Sequence, residues 1–237
     1  MTPLPFFYHD APAPEQSIIE LDGDTSRHIT GVLRMKAGDT LHLTDGTGHL
    51  LTAEIAEEFK KKCSVRVTAS RFVEPPARKV TIGLSLLKNK HRFEWFLEKA
   101  TELGITEIIP LISERTERQH FRSDRMKNVL VSALLQSQQV WLPVLQKPAT
   151  FDAVIQQLAQ QQKFIAHCVD TDKKNLAEMA DNNVESQVIL IGPEGDFTPG
   201  EISAALAQGF IPVALGDTRL RTETAGVVAA ALLKARG

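Results

Sequence analysis

Two short runs in the last quarter of the chain carry residue types that can hold a small polar ligand: Ile191-Gly-Pro-Glu-Gly-Asp-Phe197 and Leu215-Gly-Asp-Thr-Arg-Leu-Arg-Thr-Glu-Thr-Ala225. Each follows an apolar stretch of buried-strand type and precedes a helical pattern, which is where open α/β sheets place their ligands. Glycines in both runs let the backbone come close to something bound. Arg219 and Arg221 lie just before a helix start and favour an anionic partner such as phosphate or carboxylate. They suit local pairing with Asp217 and Glu223 equally well. Thr222 is expected to cap the helix that begins at Glu223, whose carboxylate suits the positive helix end. In the first run, Thr198-Pro-Gly-Glu201 has the N-cap, the first-turn proline and the capping-box glutamate of a helix start. Helix initiation does not require Gly192, Pro193, Glu194 or Gly195. Two such loops, close in sequence, point to one shared site.

The elements that must position these loops follow from the hydrophobic rhythm. Residues 1–73 read as β, with short runs at Phe6–Tyr8, Ser17–Leu21, Thr40–Leu43, Leu50–Ile55 and Ser64–Thr68. Asp45-Gly-Thr-Gly48 joins two of them as a hairpin. Several short strands in a small domain predict a barrel or compact sandwich. Glu74-Pro75-Pro76 breaks the pattern, so the chain divides into domains at 1–74 and 75–237. Beyond it, apolar strands at Val80–Leu87, Glu107–Ile112, Phe164–Val169, Val188–Ile191 and Ile211–Leu215 alternate with helices at Phe93–Leu103, Met126–Leu142 and Phe151–Gln161. That alternation predicts a parallel sheet covered by helices on both faces.

Composition narrows the function classes. The 237 residues are 43% hydrophobic and 24% charged, enough for an ordinary core. No apolar run reaches the length of a membrane span, and the first residues lack the basic flank and apolar core of a signal peptide. Cys63 and Cys168 stand far apart, against zinc and against a disulfide framework, and fit a reducing cytoplasm. The seven histidines show no metal-ligand spacing, so no metal is expected. Net charge is −2, yet Lys60, Lys61, Lys62, Arg66 and Arg71 cluster without an acid, and Arg115–Lys127 carries five basic residues against two acids. Such patches can grip phosphates, or they are simply solvated faces.

With these residues in place, the chain resembles the ribosomal RNA small-subunit methyltransferase E family. IGPEGDFTPGEI and LGDTRLRTETAG carry the resemblance, together with His28-Ile-Thr-Gly-Val-Leu-Arg34, Gly38-Asp39, Lys88 with Glu98-Lys-Ala-Thr-Glu-Leu-Gly104, and Ser113-Glu-Arg-Thr116. The resemblance implies a small N-terminal PUA-like β-barrel and a C-terminal SPOUT domain whose parallel sheet holds a trefoil knot. It also implies a cytoplasmic homodimer that uses S-adenosylmethionine to methylate N3 of one uridine in 16S ribosomal RNA, within the small ribosomal subunit. Cofactor contacts then fall on Gly192, Pro193, Glu194 and Gly195, and on Leu215, Gly216, Leu220 and Thr222. Some positions depart from the commoner family pattern. Gln136-Ser-Gln-Gln139 stands where an EQSGR-like run is frequent, Asp196 replaces a frequent glycine, and Leu4-Pro5 replaces a basic residue.

Methyl transfer to uridine N3 requires that the nitrogen lose its proton while both partners are held in line. Arg221 is the first choice for stabilising negative charge on the uracil carbonyl or for holding phosphate. Glu223 is the nearest acid that could accept the proton, and it also suits a structural role at the helix start. Uridine N3 lies on the Watson–Crick edge, so the base must be unpaired or flipped out. Arg27, His28, Arg34, Lys60, Lys61, Lys62 and Lys88 are the expected RNA contacts. Two alternatives compete: a SPOUT methyltransferase acting on another RNA such as transfer RNA, and a non-catalytic RNA-binding module on the same fold.

Overall fold

The computed structural model describes residues 4–59, 62–117, 120–169, 173–181 and 183–234. They fall into two compact units, Met1–Pro75 with Leu134–Leu142, and Pro76–Ala133 with Pro143–Gly237.

The first unit is built on five strands: β1 (Phe6–Tyr8), β2 (Ile18–Glu20), β3 (Thr40–Thr44), β4 (His49–Phe59) and β5 (Lys62–Phe72). Their order is β1-β3-β4-β5-β2, with β1 parallel to β3 and every other pair antiparallel. Alternating residues such as Leu41, Leu43, Leu51, Ala53, Val65 and Val67 turn to one shared core. The β3–β4 hairpin is tied by Asp45, whose carboxylate accepts bonds from Thr47 N at 2.7 Å and from His49 Nδ1 at 2.7 Å. Burial alone would raise the Asp45 pKa, but the bonds from Thr47 and His49 outweigh it and hold the group below the usual carboxylate range.

One stretch expected to be strand and turn is helical. Helix α1 (Gly23–Arg27) runs directly into a π turn at His28–Val32, whose Ile29 is fully buried in the core. The Asp22 carboxylate accepts from Asp24 N and Thr25 N at 2.9 Å and starts the helix.

The second unit alternates as expected. Its elements are β6 (Lys79–Ser85), α2 (Lys90–Glu102), β7 (Glu107–Ile112), α3 (Ser123–Gln136), β8 (Val144–Leu145), β9 (Ala149–Thr150) and α4 (Phe151–Gln157). They continue as β10 (Gln162–Ala166), β11 (Lys174–Asn175), α5 (Leu176–Met179), β12 (Ser186–Ile191), α6 (Pro199–Ala207), β13 (Ile211–Ala214) and α7 (Thr222–Lys234). The sheet order is β11-β13-β10-β12-β6-β7-β8, with β9 also on β7, and all pairs are parallel. One face is covered by α4 and α6 over Val188, Leu190 and Phe210; the other by α2 and α7, with α7 lying on β6 and β12. The chain thus leaves β12, goes out to β13, and doubles back as α7 beneath β12 and β6.

Two helices end earlier than their periodicity predicts. Helix α3 stops at Gln136, and Gln138 takes a positive φ of 54°. The chain beyond it joins the first unit, where Leu142 N donates to Gly46 O at 2.8 Å and Trp141 Nε1 to Val73 O at 3.0 Å. Helix α4 stops at Gln157 because Leu158 turns extended.

The return of α7 depends on close approach at Gly226. A Cβ there would meet Leu84 Cδ1 at 2.6 Å and Phe96 Cε2 at 2.7 Å, and the Phe96 ring is fully enclosed. Gly226→Val should therefore lower unfolding stability by about 1–3 kcal/mol in urea titrations, although valine is the better helix former. A stabilised variant would contradict this packing.

Candidate active site

Strands β10, β12 and β13 are parallel neighbours, and Ala166 is in register with both Ile191 and Val213. Their outgoing segments therefore leave from one edge of the sheet. Together they line a cavity of about 760 Å³. The β10 end supplies His167 and Cys168, the β12 loop runs through Gly192–Glu194, and the β13 loop wraps from Leu215 to Thr222. Across from them Arg92, in the first turn of α2, also lines the cavity.

Of the residues singled out in the two loops, Gly192, Pro193, Glu194, Leu215, Gly216, Leu220, Thr222 and Arg221 all face this cavity. Gly195 is not among the lining residues; its carbonyl accepts a bond from Arg115 Nη1 at 2.7 Å. Glu223 is not either. It is buried against α2, with Oε1 3.6 Å from Arg92 Nε and Oε2 enclosed without a hydrogen-bond partner. Thr222 is the first residue of α7 rather than its cap, because Ala225 N already bonds to Arg221 O at 2.8 Å. Neither Arg219 nor Arg221 pairs with Asp217 or Glu223 among the described residues, so both guanidinium groups stay exposed at the cavity.

The first loop is held from behind. The capping box at α6 forms as its sequence predicts, Thr198 and Glu201 each bonding the other's backbone N–H. The second Glu201 oxygen accepts Glu114 N at 2.8 Å, which fastens the segment after β7 to the same helix start. Asp196 sits at a φ of +63° and ties two walls of the cavity. Its carboxylate accepts Phe197 N at 2.8 Å and Cys168 N at 2.7 Å. Beside it, burial and the nearby Lys173 ammonium hold the His167 imidazole below its ordinary pKa, so it is neutral at pH 7. Lys173 bonds the carbonyls of His167 and Val169 at 2.8 and 2.6 Å.

Arg92, His167 and Lys173 escaped sequence reasoning. Each sits in an ordinary helix, strand end or loop, and only the sheet order brings them to the cavity.

The expected RNA contacts are dispersed. Arg27 precedes the π turn, His28 opens it and Arg34 follows it, with Arg27 paired to Asp24 and His28 edge-on to Phe7 at 5.9 Å. Arg34 is exposed at a φ of +56° and makes no ion pair among the described residues. Lys62 pairs with Glu20 at 2.9 Å, and Lys88 with Glu117 at 2.8 Å in the second unit. Lys60 and Lys61 lie outside the described residues. In the Arg115–Lys127 stretch, Arg115 serves Gly195, and Arg125 binds Glu94 with Nη2 at 2.9 Å and also with Nε.

A family model described as an RNA methyltransferase domain matches residues 74–234, and one described as an RNA methyltransferase PUA domain matches residues 21–68. The fold is thus that of an RNA methyltransferase of the SPOUT kind. Ribosomal RNA small subunit methyltransferase E of Synechocystis is 33% identical over 231 residues, covering 94% of this chain and 76% of that protein. Its namesake from Rickettsia conorii is 28% identical over 233 residues, covering 97% and 95%. The crystal structure of a ribosomal RNA small subunit methyltransferase E from Neisseria gonorrhoeae bound to S-adenosyl methionine superposes with a TM-score of 0.87 at 27% identity, covering 98% of each chain. The chain belongs to the ribosomal RNA small subunit methyltransferase E family.

The Asp196 tie has a measurable signature. Asp196→Ala keeps the left-handed backbone strain and loses both bonds, so it should lower stability by about 1–2 kcal/mol. Asp196→Gly loses the bonds but relieves the strain, and should stay within about 1 kcal/mol of the parent. Equal losses in thermal unfolding would contradict the role given to this side chain.

Proposed function

We propose that the protein transfers the methyl group of S-adenosylmethionine to N3 of a uridine in 16S ribosomal RNA, within the small ribosomal subunit. The observation that carries this reading is the single cavity on which the two glycine-containing loops converge. At about 760 Å³ it is in the range of sites for cofactor-sized ligands. Its donor set suits that cofactor. Ile191, Leu215 and Leu220 offer apolar surface to an adenine, the backbone beside Gly192 and Gly216 offers hydrogen bonds, and Glu194 and Asp217 offer acceptors for hydroxyl or ammonium groups. Gly216 has a φ of +127°, and a Cβ there would meet no atom within 4 Å, so its open side stays free for a ligand. We assign Gly192, Pro193, Glu194, Leu215, Gly216, Leu220 and Thr222 as direct contacts, and Gly195 as a support through Arg115.

S-adenosylmethionine, when bound, supplies an electrophilic methyl group. The chain's own residues hold the uridine so that its N3 lone pair meets that methyl carbon while the N3 proton passes to solvent. Arg221, exposed at the cavity, is suited to grip an RNA phosphate and keep the flipped base from leaving. Glu223 is enclosed away from the cavity, so we give it a positioning role rather than that of the proton acceptor. The first 74 residues act as the RNA-binding domain, with Arg27, Arg34 and Lys62 as its exposed cations and His28 exposed beside them, and Lys88 adds a cation in the second unit. Residues Val227, Val228, Ala231 and Leu232 of α7 are only partly covered and suit a second copy of the chain, giving a homodimer. No helix among the described residues is long and apolar enough to cross a membrane, and a cytoplasmic setting follows from the substrate.

Labelled S-adenosylmethionine and small subunits from cells lacking this protein test the reading. Label should appear in N3-methyluridine; label in another nucleoside would move the target, and no transfer would leave an RNA-binding protein. Arg34→Ala should keep cofactor affinity, weaken RNA binding, and reduce the slope of log K against log salt by about one. Unchanged RNA binding would remove Arg34 from the interface.

A further inference from the structure

We infer that Arg92, held from behind by Glu223, is the group that stabilises negative charge on the uracil in the reaction. This rests on the proposed methyl transfer and names a further catalytic residue for it. Three arginines reach the cavity: Arg92, Arg219 and Arg221. They differ in how they are held. Arg219 and Arg221 lie on an exposed loop with no acidic partner among the described residues. Arg92 rises from the first turn of α2, with its side chain 36% exposed and its Nε facing Glu223 Oε1 at 3.6 Å.

The pair is incompletely made. Its separation is that of an ion pair longer than a hydrogen bond, and the Arg92 guanidinium donates no hydrogen bond among the described residues. Glu223 leaves only 8% of its side chain exposed, and Oε2 has no partner. A buried carboxylate with an idle oxygen is costly unless a cation stays close. Glu223 therefore anchors Arg92 through Nε, and the terminal nitrogens of this cavity-lining residue make no hydrogen bond among the described residues. Those donors match a carbonyl oxygen flanking a ring nitrogen that is losing its proton, because the guanidinium is planar, always charged and rich in donors. As N3 gives up its proton, charge spreads to the neighbouring carbonyl oxygens. Donors already fixed there favour the anion without reorganising at the moment of reaction. The N3–H bond breaks, the proton goes to solvent, and the N3–methyl bond forms while the carbon–sulfur bond breaks. No further reactant is needed.

Glu223 is a positioning residue in this scheme. Arg221 lies just before the first helical residue and Glu223 within the first turn of α7, so the two diverge despite their closeness in sequence. Arg221 lines the cavity, and Glu223 turns inward to α2.

The test is steady-state methylation of small subunits by the full chain, with cofactor affinity measured separately by calorimetry. Arg92→Ala should lower kcat by about 100-fold, the usual effect of losing one fixed donor to a developing anion, while cofactor Kd and the KM for subunits change by less than about threefold. Added guanidinium ion at low concentration should restore part of the lost rate in Arg92→Ala and none in the parent. Glu223→Gln should lower kcat by about tenfold in the parent and add almost nothing on the Arg92→Ala background, the coupling expected when one residue acts through the other. If Arg92→Ala melts early, Arg92→Lys serves instead; it keeps the charge without the fork and should still lose most of its kcat. A parent enzyme that transfers methyl groups while both Arg92 variants match its kcat would overturn this assignment alone. So would a loss confined to cofactor affinity, or a Glu223→Gln effect that persists without Arg92. A parent protein that transfers no methyl group to RNA would overturn the underlying reading and this one with it.

Discussion

Parallel pairing of β10 between β12 and β13 is the constraint from which the site follows. Because the three strands run the same way and end in register, their outgoing loops must leave from one edge. No single loop forms the cavity. The β12 loop contributes a wall stiffened by the Thr198–Glu201 capping box and by the bonds donated from Glu114 and Arg115. The β13 loop has to turn back so that α7 can lie on β6 and β12, and this return carries Leu215–Thr222 across the cavity. The close approach at Gly226 lets the helix settle deeply enough for the first turn of α7 to meet the first turn of α2, where Glu223 finds Arg92.

Charge in the second unit is more committed than its distribution along the sequence implies. Lys88 is matched by Glu117, Arg125 by Glu94, and Arg115 by a loop carbonyl. Exposed pairs of this kind contribute little to stability, but they remove cations from the set free to meet phosphate. Among the described residues, Arg219 and Arg221 on the loop remain unpaired at the cavity, with Arg92 held at its back. In the first unit Arg27 and Lys62 likewise have acids beside them, whereas Arg34 pairs with none among the described residues. Exposed ion pairs can open to admit a phosphate oxygen, and the acids that hold these cations also lower the gain from binding RNA.

Much of the architecture was legible because the apolar runs of the second unit, though short, are uninterrupted and alternate with helical spacing. The strands at β6, β7, β10, β12 and β13, and the helix start at Thr198, read directly from periodicity and cap chemistry. The α1 segment was not, since Asp22-Gly-Asp-Thr-Ser has the composition of a turn and becomes a helix through one carboxylate. The stretch from Leu134 was not either: its helical spacing continues to Leu142, yet its hydrogen bonds go to Gly46 and Val73, far away in sequence. In the site, the two glycine-containing loops announced themselves by residue type. Arg92 carried no such signal, because an arginine in a first helical turn looks the same whether it faces solvent or a cavity. Glu223 was read by its closeness to Arg221 in sequence, and the start of α7 falls between the two.

The central claim is that the β12 and β13 loops form one site for S-adenosylmethionine, with Gly216 leaving room for it. Calorimetric titration of the cofactor into the full chain and into Gly216→Val tests this most directly. The account predicts saturable binding to the parent and an affinity loss of at least about tenfold, or about 1.4 kcal/mol, in the variant, with thermal unfolding showing that the variant is folded. Equal binding by both proteins, or none by the parent, would contradict it.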